Sequence, residues 1–209
     1  MKIVVAGYGK FGRLAVSRLS EVPNIEEILV LEPACPDYPD PGHGNVQFER
    51  VDAVRYLSLM SEENGDIRII PTVPFHLAAA YLLCVSGSLE STPIPNAITD
   101  GLPNVYRVNR LNVCCSYADF LCPDNCPEND ECTVTGEIRQ PMFERLEGLS
   151  TRNLPLLVIR SRQIMPGIGG FDFSELRRLV ERTAGLDEFI LATACRCHAI
   201  LTGFRCHSR

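Results

Sequence analysis

Residues 2–12 read Lys-Ile-Val-Val-Ala-Gly-Tyr-Gly-Lys-Phe-Gly. The apolar run at 2–6 predicts a short buried strand, and the amphipathic pattern after it predicts a helix. The Gly-x-Gly-x-x-Gly turn between them suits a dinucleotide: the first glycine allows a tight turn, the second lets a pyrophosphate approach, and the third lets helix and strand pack closely. The start of the helix offers N–H groups and a positive dipole end to phosphates. The expected binding residues are Gly7, Gly9, Lys10, Phe11 and Gly12.

A carboxylate strengthens this prediction and indicates which nucleotide is bound. Glu32 follows a second predicted strand at 27–31 and lies 20 residues after Gly12. A carboxylate there accepts hydrogen bonds from ribose hydroxyls and repels a 2′-phosphate, so we expect NAD to bind better than NADP. Lys10 and Arg13 would weaken this preference. The sequence leaves open a domain of the same shape whose turn holds no ligand.

Strands and helices alternate through the first 85 residues. The patterns predict strands at 2–6, 27–31, 46–50 and 67–70, and helices at 10–20, 53–63 and 75–85. Such alternation is typical of a doubly wound, mainly parallel sheet. Residues 1–85 are therefore predicted to form a Rossmann-like α/β dinucleotide-binding half.

A similar unit returns near the end of the chain. It has a strand at 156–160, a glycine loop at 165–170, a helix at 172–184 and a strand at 189–194. We expect residues 155–209 to complete the same sheet as a βαβ unit. The loop Pro166–Gly170 has the layout of an anion site before a helix, with Arg160 and Arg162 nearby, but it contains no basic residue, which favours a plain connection.

The stretch 86–154 separates these two parts and lacks helical or strand periodicity. It holds five of the ten cysteines together with many prolines. An irregular segment of this length is either functional or disordered, and clustered thiols favour a function. We predict a cysteine-rich insertion that binds a metal.

The candidate metal ligands begin with three thiols in this insertion. Cys122, Cys126 and Cys132 lie in a turn-rich loop and could converge on one centre. A fourth ligand could come from Cys115 or its neighbour Cys114, or from the cluster at the end of the last strand, Cys195, Cys197 and His198. In a strand, residues 195 and 197 point the same way, which suits joint ligation.

The nature of the metal stays open at this stage. Proline follows two of the loop cysteines, Cys122 and Cys126, and Cys-Pro pairs are common in ferredoxin runs, which favours an iron–sulfur cluster over zinc. The usual Cys-x-x-Cys spacing is missing, and zinc tolerates loose spacings. Disulfides within the insertion, or buried free thiols, are the alternatives. His76 lies at the same predicted sheet edge, and packing explains it better than catalysis.

The first 85 residues resemble the nucleotide-binding domains of potassium-uptake regulators of the TrkA type, within the wider family of Rossmann oxidoreductases. In the regulators a Gly-Asp-Ala segment follows the third strand and opens a helix. Here Val51-Asp52-Ala53 stands in that place, with valine for glycine. The resemblance implies that Asp52 joins the glycine turn and Glu32 around the nucleotide. Nothing after residue 86 resembles the second domain of those regulators.

Composition narrows the function classes. The 209 residues have a formal net charge of −6, with acidic and basic residues mixed along the chain, so we expect no nucleic-acid partner. The longest apolar stretch, 75–85, is shorter than the ~20 residues that span a bilayer. Strand residues follow Met1 directly, so we expect no signal peptide and a cytoplasmic protein. In a reducing compartment ten cysteines indicate metal or redox chemistry.

These features together predict an NAD-binding redox protein with a cysteine-ligated metal centre. It would act in electron transfer or redox sensing, as an NAD-dependent oxidoreductase if it turns over. Two alternatives remain: a non-catalytic nucleotide-sensing regulatory module and a zinc-stapled binding domain. The implied partners are a dinucleotide, a redox or regulatory protein, and a second copy of the chain in a homodimer.

Overall fold

The computed structural model of the protein describes residues 1–34, 44–61 and 66–207. The chain divides into two compact units. Unit 1 comprises Met1–Val85 and Gly170–Val180, and unit 2 comprises Ser86–Gly169 and Glu181–Arg209. The elements follow in this order: β1 (Lys2–Ala6), α1 (Lys10–Leu19), β2 (Glu27–Leu31), β3 (Val46–Glu49), α2 (Ala53–Leu59), β4 (Ile67–Pro71), α3 (Leu77–Val85), β5 (Leu89–Thr92), α4 (Asn96–Thr99), β6 (Tyr106–Arg107), β7 (Asn112–Ser116), α5 (Met142–Glu147), β8 (Leu156–Arg160), β9 (Arg162–Met165), β10 (Ile168–Asp172), α6 (Phe173–Thr183), β11 (Glu188–Ala194) and β12 (His198–Cys206).

Unit 1 is built on a sheet whose first four strands are parallel, in the order β3-β2-β1-β4. The four predicted strands of residues 1–85 therefore form, and their carboxyl ends share one edge of this sheet. β1 is buried from Ile3 to Ala6, as a continuous apolar run is when both faces of a parallel strand are covered. The residues that follow β1, β2 and β4 consequently meet at that edge.

The end of β10 adds an antiparallel strand beside β4, with Phe171 opposite Ile69. Gly170 permits this close approach, since a Cβ atom there would lie 2.2 Å from the carbonyl oxygen of Ile69. The sheet of unit 1 is therefore mixed rather than purely parallel. The expected glycine loop at 165–170 is largely strand, and β10 stands between the Pro166-Gly167 turn and α6. Pro166–Gly170 therefore does not lead directly into a helix, as an anion site there would require.

Unit 2 has a second mixed sheet, in the order β6-β7-β12-β11-β8, and β5 also pairs with β12. β8 and β11 are parallel, and the other neighbours are antiparallel. Its buried core draws apolar residues from these strands and from α4 and α5, among them Ile98, Val113, Phe143, Ile190 and Leu201. The elements at 156–160 and 189–194 form where predicted, but they belong to this second sheet.

The stretch 86–154 is also more regular than the sequence predicts. β5, α4, β6, β7 and α5 all lie within it. The sequence of an apolar strand does not show which strand it pairs with. β7 is therefore recognisable as a strand only from its pairing with β12 in the structure. The part without helix or named strand narrows to residues 117–141. No helix among the described residues is long and apolar enough to cross a bilayer.

Candidate functional sites

The glycine turn joins the carboxyl end of β1 to α1 and is packed against two neighbouring strands. Gly7 has a φ of +99°, and its N–H donates to the carbonyl of Leu31 at 2.9 Å. The hydroxyl of Thr72, just after β4, donates to the carbonyl oxygens of Ala6 at 2.9 Å and Gly7 at 2.8 Å. A Cβ atom at Gly12 would lie 2.2 Å from the Gly7 carbonyl oxygen. The first and third glycines are thus required by the backbone itself.

The second glycine borders open space. Gly9 is the N-cap of α1, no side chain caps it, and an added Cβ would meet no atom within 4 Å. The first turn of α1 carries no acidic residue. Lys10 is exposed with its ammonium 5.4 Å from the ring centre of Phe11, whose side chain is 59% exposed. The start of α1 therefore presents a positive dipole end and a cation to solvent.

Glu32 lies beside this turn, as its place after β2 predicts. One carboxylate oxygen accepts from the N–H of Tyr8 at 2.9 Å, and the other accepts from the N–H of Ala34 at 3.0 Å. The Tyr8 ring stands edge-on to Phe48 of β3, with 4.9 Å between ring centres. The carboxylate thus ties the end of β2 to the glycine turn.

Asp52 has a different local role. It is the N-cap of α2, and its carboxylate accepts from the N–H of Arg55 at 2.9 Å. A capping carboxylate stabilises the first turn of a helix and its exposed N–H groups. The contact to nucleotide that the family resemblance implies for Asp52 stays a prediction.

The three loop cysteines of unit 2 lie in a segment with little burial. None of residues 119–140 is buried, and Cys122, Cys126 and Cys132 are half-buried among mostly exposed neighbours. Leu121 and Ile138 are 97% and 80% exposed. Apart from the bridge between Glu131 and Ile138, the segment has no regular pairing. This segment therefore has no buried hydrophobic core of its own.

Sheet pairing brings the hairpin turn 195–198 next to this segment. The turn connects β11 to β12, and the N–H of Cys195 donates to the His198 carbonyl at 3.0 Å. Because β7 runs antiparallel to β12, the residues that follow β7 emerge beside the turn: the N–H of Tyr117 donates to the Cys197 carbonyl at 3.0 Å. Arg196 completes the link. Its guanidinium pairs with Asp130 at 2.5 Å, and its N–H donates to the Glu128 carboxylate.

The charges of the loop thiols influence the pKa of a thiol in the hairpin turn. Burial raises the pKa of Cys197, and so do the charges of Glu128, Cys126, Cys132 and Cys122. Burial likewise raises the pKa of Cys122, together with the charges of Cys126 and Cys132. We call Cys122, Cys126, Cys132 and Cys197 the thiol group. Three come from the loop and one from the hairpin turn.

Cys132 differs from the other members of the thiol group because its sulfur is a hydrogen-bond acceptor. The hydroxyl of Thr135, then the N–H groups of Thr135 and Val134, lower its pKa. Hydrogen bonds to a thiolate favour the charged form. The adjacent Arg139 guanidinium has a raised pKa, mainly because it donates to Glu137, with contributions from the thiolate charges of Cys132 and Cys197.

The remaining predicted ligands lie apart from the loop thiols. Cys115 is buried in the core of unit 2 with its sulfur 3.7 Å from that of Met142, and burial raises its pKa to about 12. Its side chain packs as a small apolar group in this core, and its role as a ligand stays a prediction. Burial also raises the pKa of Cys195 to about 12, followed by the charge of Glu128.

Cys195 and Cys197 lie in the turn between β11 and β12 and not in a strand as predicted, whereas His198 is the first residue of β12. The Cys195 sulfur accepts from the N–H groups of Cys197 and His198, both at 3.4 Å. It also lies 3.6 Å from Nδ1 of His198. Desolvation lowers the pKa of His198, against the opposing charge of Glu128. The sulfur of Cys195 is thus directed at its own turn.

The cysteines within the described residues are free thiols, and Cys35 lies outside those residues. In the part of the chain that the structure describes, no three His, Cys, Asp or Glu side chains are close enough together to ligate a metal as they stand. The other predicted edge residue, His76, is 3% exposed at the start of α3, and burial lowers its pKa to about 3.

Two residues that the sequence did not single out hold the cysteine loop in place. The N–H of Gly167 donates to the Cys126 carbonyl at 2.9 Å, and the side-chain amide of Gln163 donates to the same oxygen at 2.7 Å. Gly167 has a φ of +78°, and a Cβ atom there would lie 1.8 Å from the Asp124 carbonyl oxygen. A Pro-Gly pair signals a turn in any sequence, but its partner segment is visible only in three dimensions.

A family model described as "Uncharacterized protein, C-terminal domain" matches residues 76–207. The chain belongs to this AF_1314_C family. The family match covers the thiol group, Gln163 and Gly167, whereas the glycine turn and Glu32 precede it. An "Uncharacterized protein" from Archaeoglobus fulgidus is similar, with 32% identity over 141 residues that make up 66% of this chain and 64% of the relative. This chain thus spans a little under two thirds of that relative. No solved structure matches the chain.

Proposed function

We propose that unit 1 is a Rossmann-type domain that binds NAD at the glycine turn. The open space at Gly9, above the uncapped start of α1 and beside Glu32, is the observation that carries this proposal. A pyrophosphate placed there would meet N–H groups and the positive end of the α1 dipole. The resemblance of residues 1–85 to TrkA-type nucleotide-binding domains supports the same ligand.

The proposed nucleotide is NAD rather than NADP because of the charge at Glu32. The carboxylate lies at the glycine turn, where it accepts from the N–H groups of Tyr8 and Ala34, and it brings a negative charge to the place where a ribose would lie. A 2′-phosphate in the same place would be repelled. Arg13, whose guanidinium lies 6.0 Å from the Tyr8 ring centre, reduces this repulsion without removing it.

Nucleotide binding would serve a redox role, with a thiolate-ligated iron–sulfur cluster or zinc ion in unit 2. The observation that favours this role is that the hairpin turn with Cys197 contacts the cysteine-rich loop: the N–H of Tyr117 donates to the Cys197 carbonyl, and Arg196 pairs with Asp130. An iron–sulfur cluster would exchange single electrons, whereas zinc would only stabilise the fold. The second candidate is a regulatory module that binds NAD without turnover, as the TrkA resemblance implies.

Titration of NAD and NADH against the purified chain tests the nucleotide proposal. Gly9→Val should weaken NAD binding at least tenfold while leaving the fold intact, because the new side chain occupies the proposed pyrophosphate position and meets no protein atom at its Cβ. Gly87→Val is the matched control, since Gly87 also borders open space and lies in unit 2. Equal affinity in wild type and Gly9→Val, or no binding by the wild type, would contradict the proposal.

Turnover separates the redox protein from the sensor. NADH is mixed with the anaerobically purified chain and a one-electron acceptor such as ferricyanide, and absorbance at the NADH band is followed. Loss of NADH that requires the protein and is absent in Gly9→Val supports the redox role. Binding without oxidation favours the regulatory module.

A further inference from the structure

We propose that Thr72, the residue after β4, is a positioning residue that fixes the glycine turn in the form that receives the pyrophosphate of NAD. This inference rests on the proposed nucleotide site of unit 1 and is independent of the cysteines of unit 2. The sequence motif consists of three glycines and a later carboxylate. Its residues do not indicate that a hydroxyl from another strand completes the turn.

The register of the sheet brings Thr72 to the turn. β4 is the parallel neighbour of β1, with Pro71 opposite Ala6. The next residues of the two strands, Thr72 and Gly7, therefore leave the sheet side by side. The N–H of Thr72 also donates to the Ala6 carbonyl at 2.9 Å. The position of Thr72 thus follows from the pairing of two buried strands.

The Thr72 hydroxyl holds two successive carbonyl groups of the turn. Its oxygen lies 2.9 Å from the carbonyl oxygen of Ala6 and 2.8 Å from that of Gly7, and both accept from it. On the other side of the Gly7 carbonyl lies Gly12, where an added Cβ would be 2.2 Å from that oxygen and 3.1 Å from the Thr72 hydroxyl oxygen. The Gly7 carbonyl is therefore enclosed between Thr72 and the first turn of α1.

The N–H ends of the same peptide groups are held from the opposite side, at the end of β2. The N–H of Gly7 donates to the Leu31 carbonyl at 2.9 Å, and the N–H of Tyr8 donates to the Glu32 carboxylate at 2.9 Å. The peptide groups before and after Gly7 each have their carbonyl bound by Thr72 and their N–H bound from β2. Neither peptide group can rotate without breaking a hydrogen bond.

This arrangement fixes the place where the pyrophosphate would bind. The N–H groups of Gly7 and Tyr8 are already used within the protein, so the phosphates would depend on the N–H groups at the start of α1, beyond the N-cap Gly9. The two held peptide groups lead directly into that N-cap. A turn that is already ordered loses little conformational entropy when the ligand binds. Thr72 therefore raises affinity without itself contacting the nucleotide.

The test compares ligands with and without a pyrophosphate. NAD and ADP are titrated against the full-length protein by calorimetry, and adenosine is titrated by ligand-observed NMR. Thr72→Val and Thr72→Ala should each weaken NAD and ADP binding by about tenfold, because the loss of a shared hydrogen bond releases the turn. Thr72→Ser keeps the hydroxyl and should bind NAD within about threefold of wild type. Adenosine, which lacks the pyrophosphate, should bind all four proteins alike.

Two features of the design separate positioning from general damage. Thr99→Val is the matched control, since the buried Thr99 hydroxyl also donates to a carbonyl, that of Asn96 at 3.1 Å, but lies in unit 2. It should keep wild-type NAD affinity. Thr72→Ala serves where the added methyl of Thr72→Val, placed close to two carbonyl oxygens, prevents folding. Circular dichroism checks the fold of each variant.

Three outcomes would overturn the assignment of Thr72. Wild-type NAD affinity in Thr72→Val and Thr72→Ala rejects the positioning role and leaves the proposed function intact. An equal loss of adenosine and ADP binding shows general damage to unit 1 and also rejects that role. A wild-type protein that binds no NAD removes the proposed function, and this inference with it.

A second measurement needs no ligand. Hydrogen exchange of the nucleotide-free protein is followed by NMR at the N–H groups of Gly7 and Tyr8. Both should exchange several times faster in Thr72→Val than in wild type or Thr72→Ser, while the N–H groups of β11 keep their rates. Equal rates at Gly7 and Tyr8 in wild type and Thr72→Val would show that the hydroxyl does not hold the turn.

Discussion

At the scale of single residues, distances to the nearest backbone atom decide what each glycine does. A Cβ at Gly12 would collide with the Gly7 carbonyl, and one at Gly167 would collide with Asp124. A Cβ at Gly9 would enter open space. The sequence motif does not distinguish between its three glycines. In the structure the backbone requires Gly7 and Gly12, whereas Gly9 borders open space.

Gly12→Ala should therefore destabilise unit 1, by about 1–3 kcal/mol, because the new methyl forces β1 and α1 apart. Gly9→Ala should cost less, on the order of 1 kcal/mol, because alanine is a poorer N-cap than glycine but its methyl group enters open space. Urea unfolding followed by circular dichroism measures both variants. Equal midpoints for the two variants would show that the contact between Gly12 and Gly7 is not tight.

Glu32→Gln should lower NAD affinity about tenfold and bring NADP affinity closer to it. The amide keeps one oxygen acceptor but carries no negative charge. The ribose hydroxyls therefore lose a charged acceptor, and a 2′-phosphate is no longer repelled. Competition titration of the two nucleotides measures the ratio. Glu21→Gln, at an exposed position beyond α1, is the matched control. An unchanged NAD to NADP ratio would remove Glu32 from the ribose site.

At the scale of elements, the local sequence pattern predicts well which strands and helices form, and predicts poorly which strands pair with each other. β1, β2, β4, β8 and β11 form within a residue or two of their predicted bounds, because apolar runs and glycine or proline boundaries are local signals. α2 ends at Leu59 rather than at residue 63, and α3 begins at Leu77. The sequence pattern does not predict β10, because Met165–Gly170 has the composition of a turn. The close approach to β4 explains Gly170 within this strand.

The buried start of α3 predicts a pH dependence of stability. The pKa of His76 is about 3, below the ordinary 6.5, because burial disfavours its charged form. Between these values the unfolded chain binds a proton that the folded chain does not, so acid favours unfolding. We expect the His76 contribution to lower the free energy of unfolding by up to about 1.4 kcal/mol per pH unit as the pH falls below 6.5.

The comparison of wild type with His76→Gln isolates this effect. The variant should show a flatter dependence of the unfolding midpoint between pH 6.5 and 5, even if it is less stable throughout. His207→Gln is the control, since His207 is exposed. A slope in His76→Gln equal to that of the wild type would assign the acid sensitivity to other groups.

At the scale of the whole molecule, the chain forms two mixed sheets, and each sheet combines strands that are far apart in the sequence. β8 and β11 could have extended the first sheet by their sequence alone, but β12 pairs with β7, β5 and β11 and so gathers them into unit 2. That pairing is also what carries Cys197 to the loop cysteines. Fold and candidate metal centre are thus linked through one strand.

Metal removal should act on one unit and not on the other. Chelation of the anaerobic protein should lower the thermal midpoint of unit 2, because residues 119–140 lack a core of their own. NAD at a hundred times its Kd should instead stabilise unit 1 by about 2.7 kcal/mol. Differential scanning calorimetry, with Cys197→Ser as the metal-free comparison, measures both effects. If chelation also lowers the thermal midpoint of Cys197→Ser, the effect does not come from a metal bound by the thiol group.

The sequence by itself determined the parallel strands of unit 1, the order of strand, glycine turn and helix, and the place of Glu32, because all of these follow from periodicity and from backbone rules between near neighbours. It also marked Cys122, Cys126 and Cys132 as one cluster. The tertiary structure alone decided that there are two sheets, that Cys115 belongs to a core, and that the turn with Cys197 pairs with the start of the cysteine loop. The reason is that strand partners and burial depend on contacts between residues far apart in sequence, which no local pattern encodes.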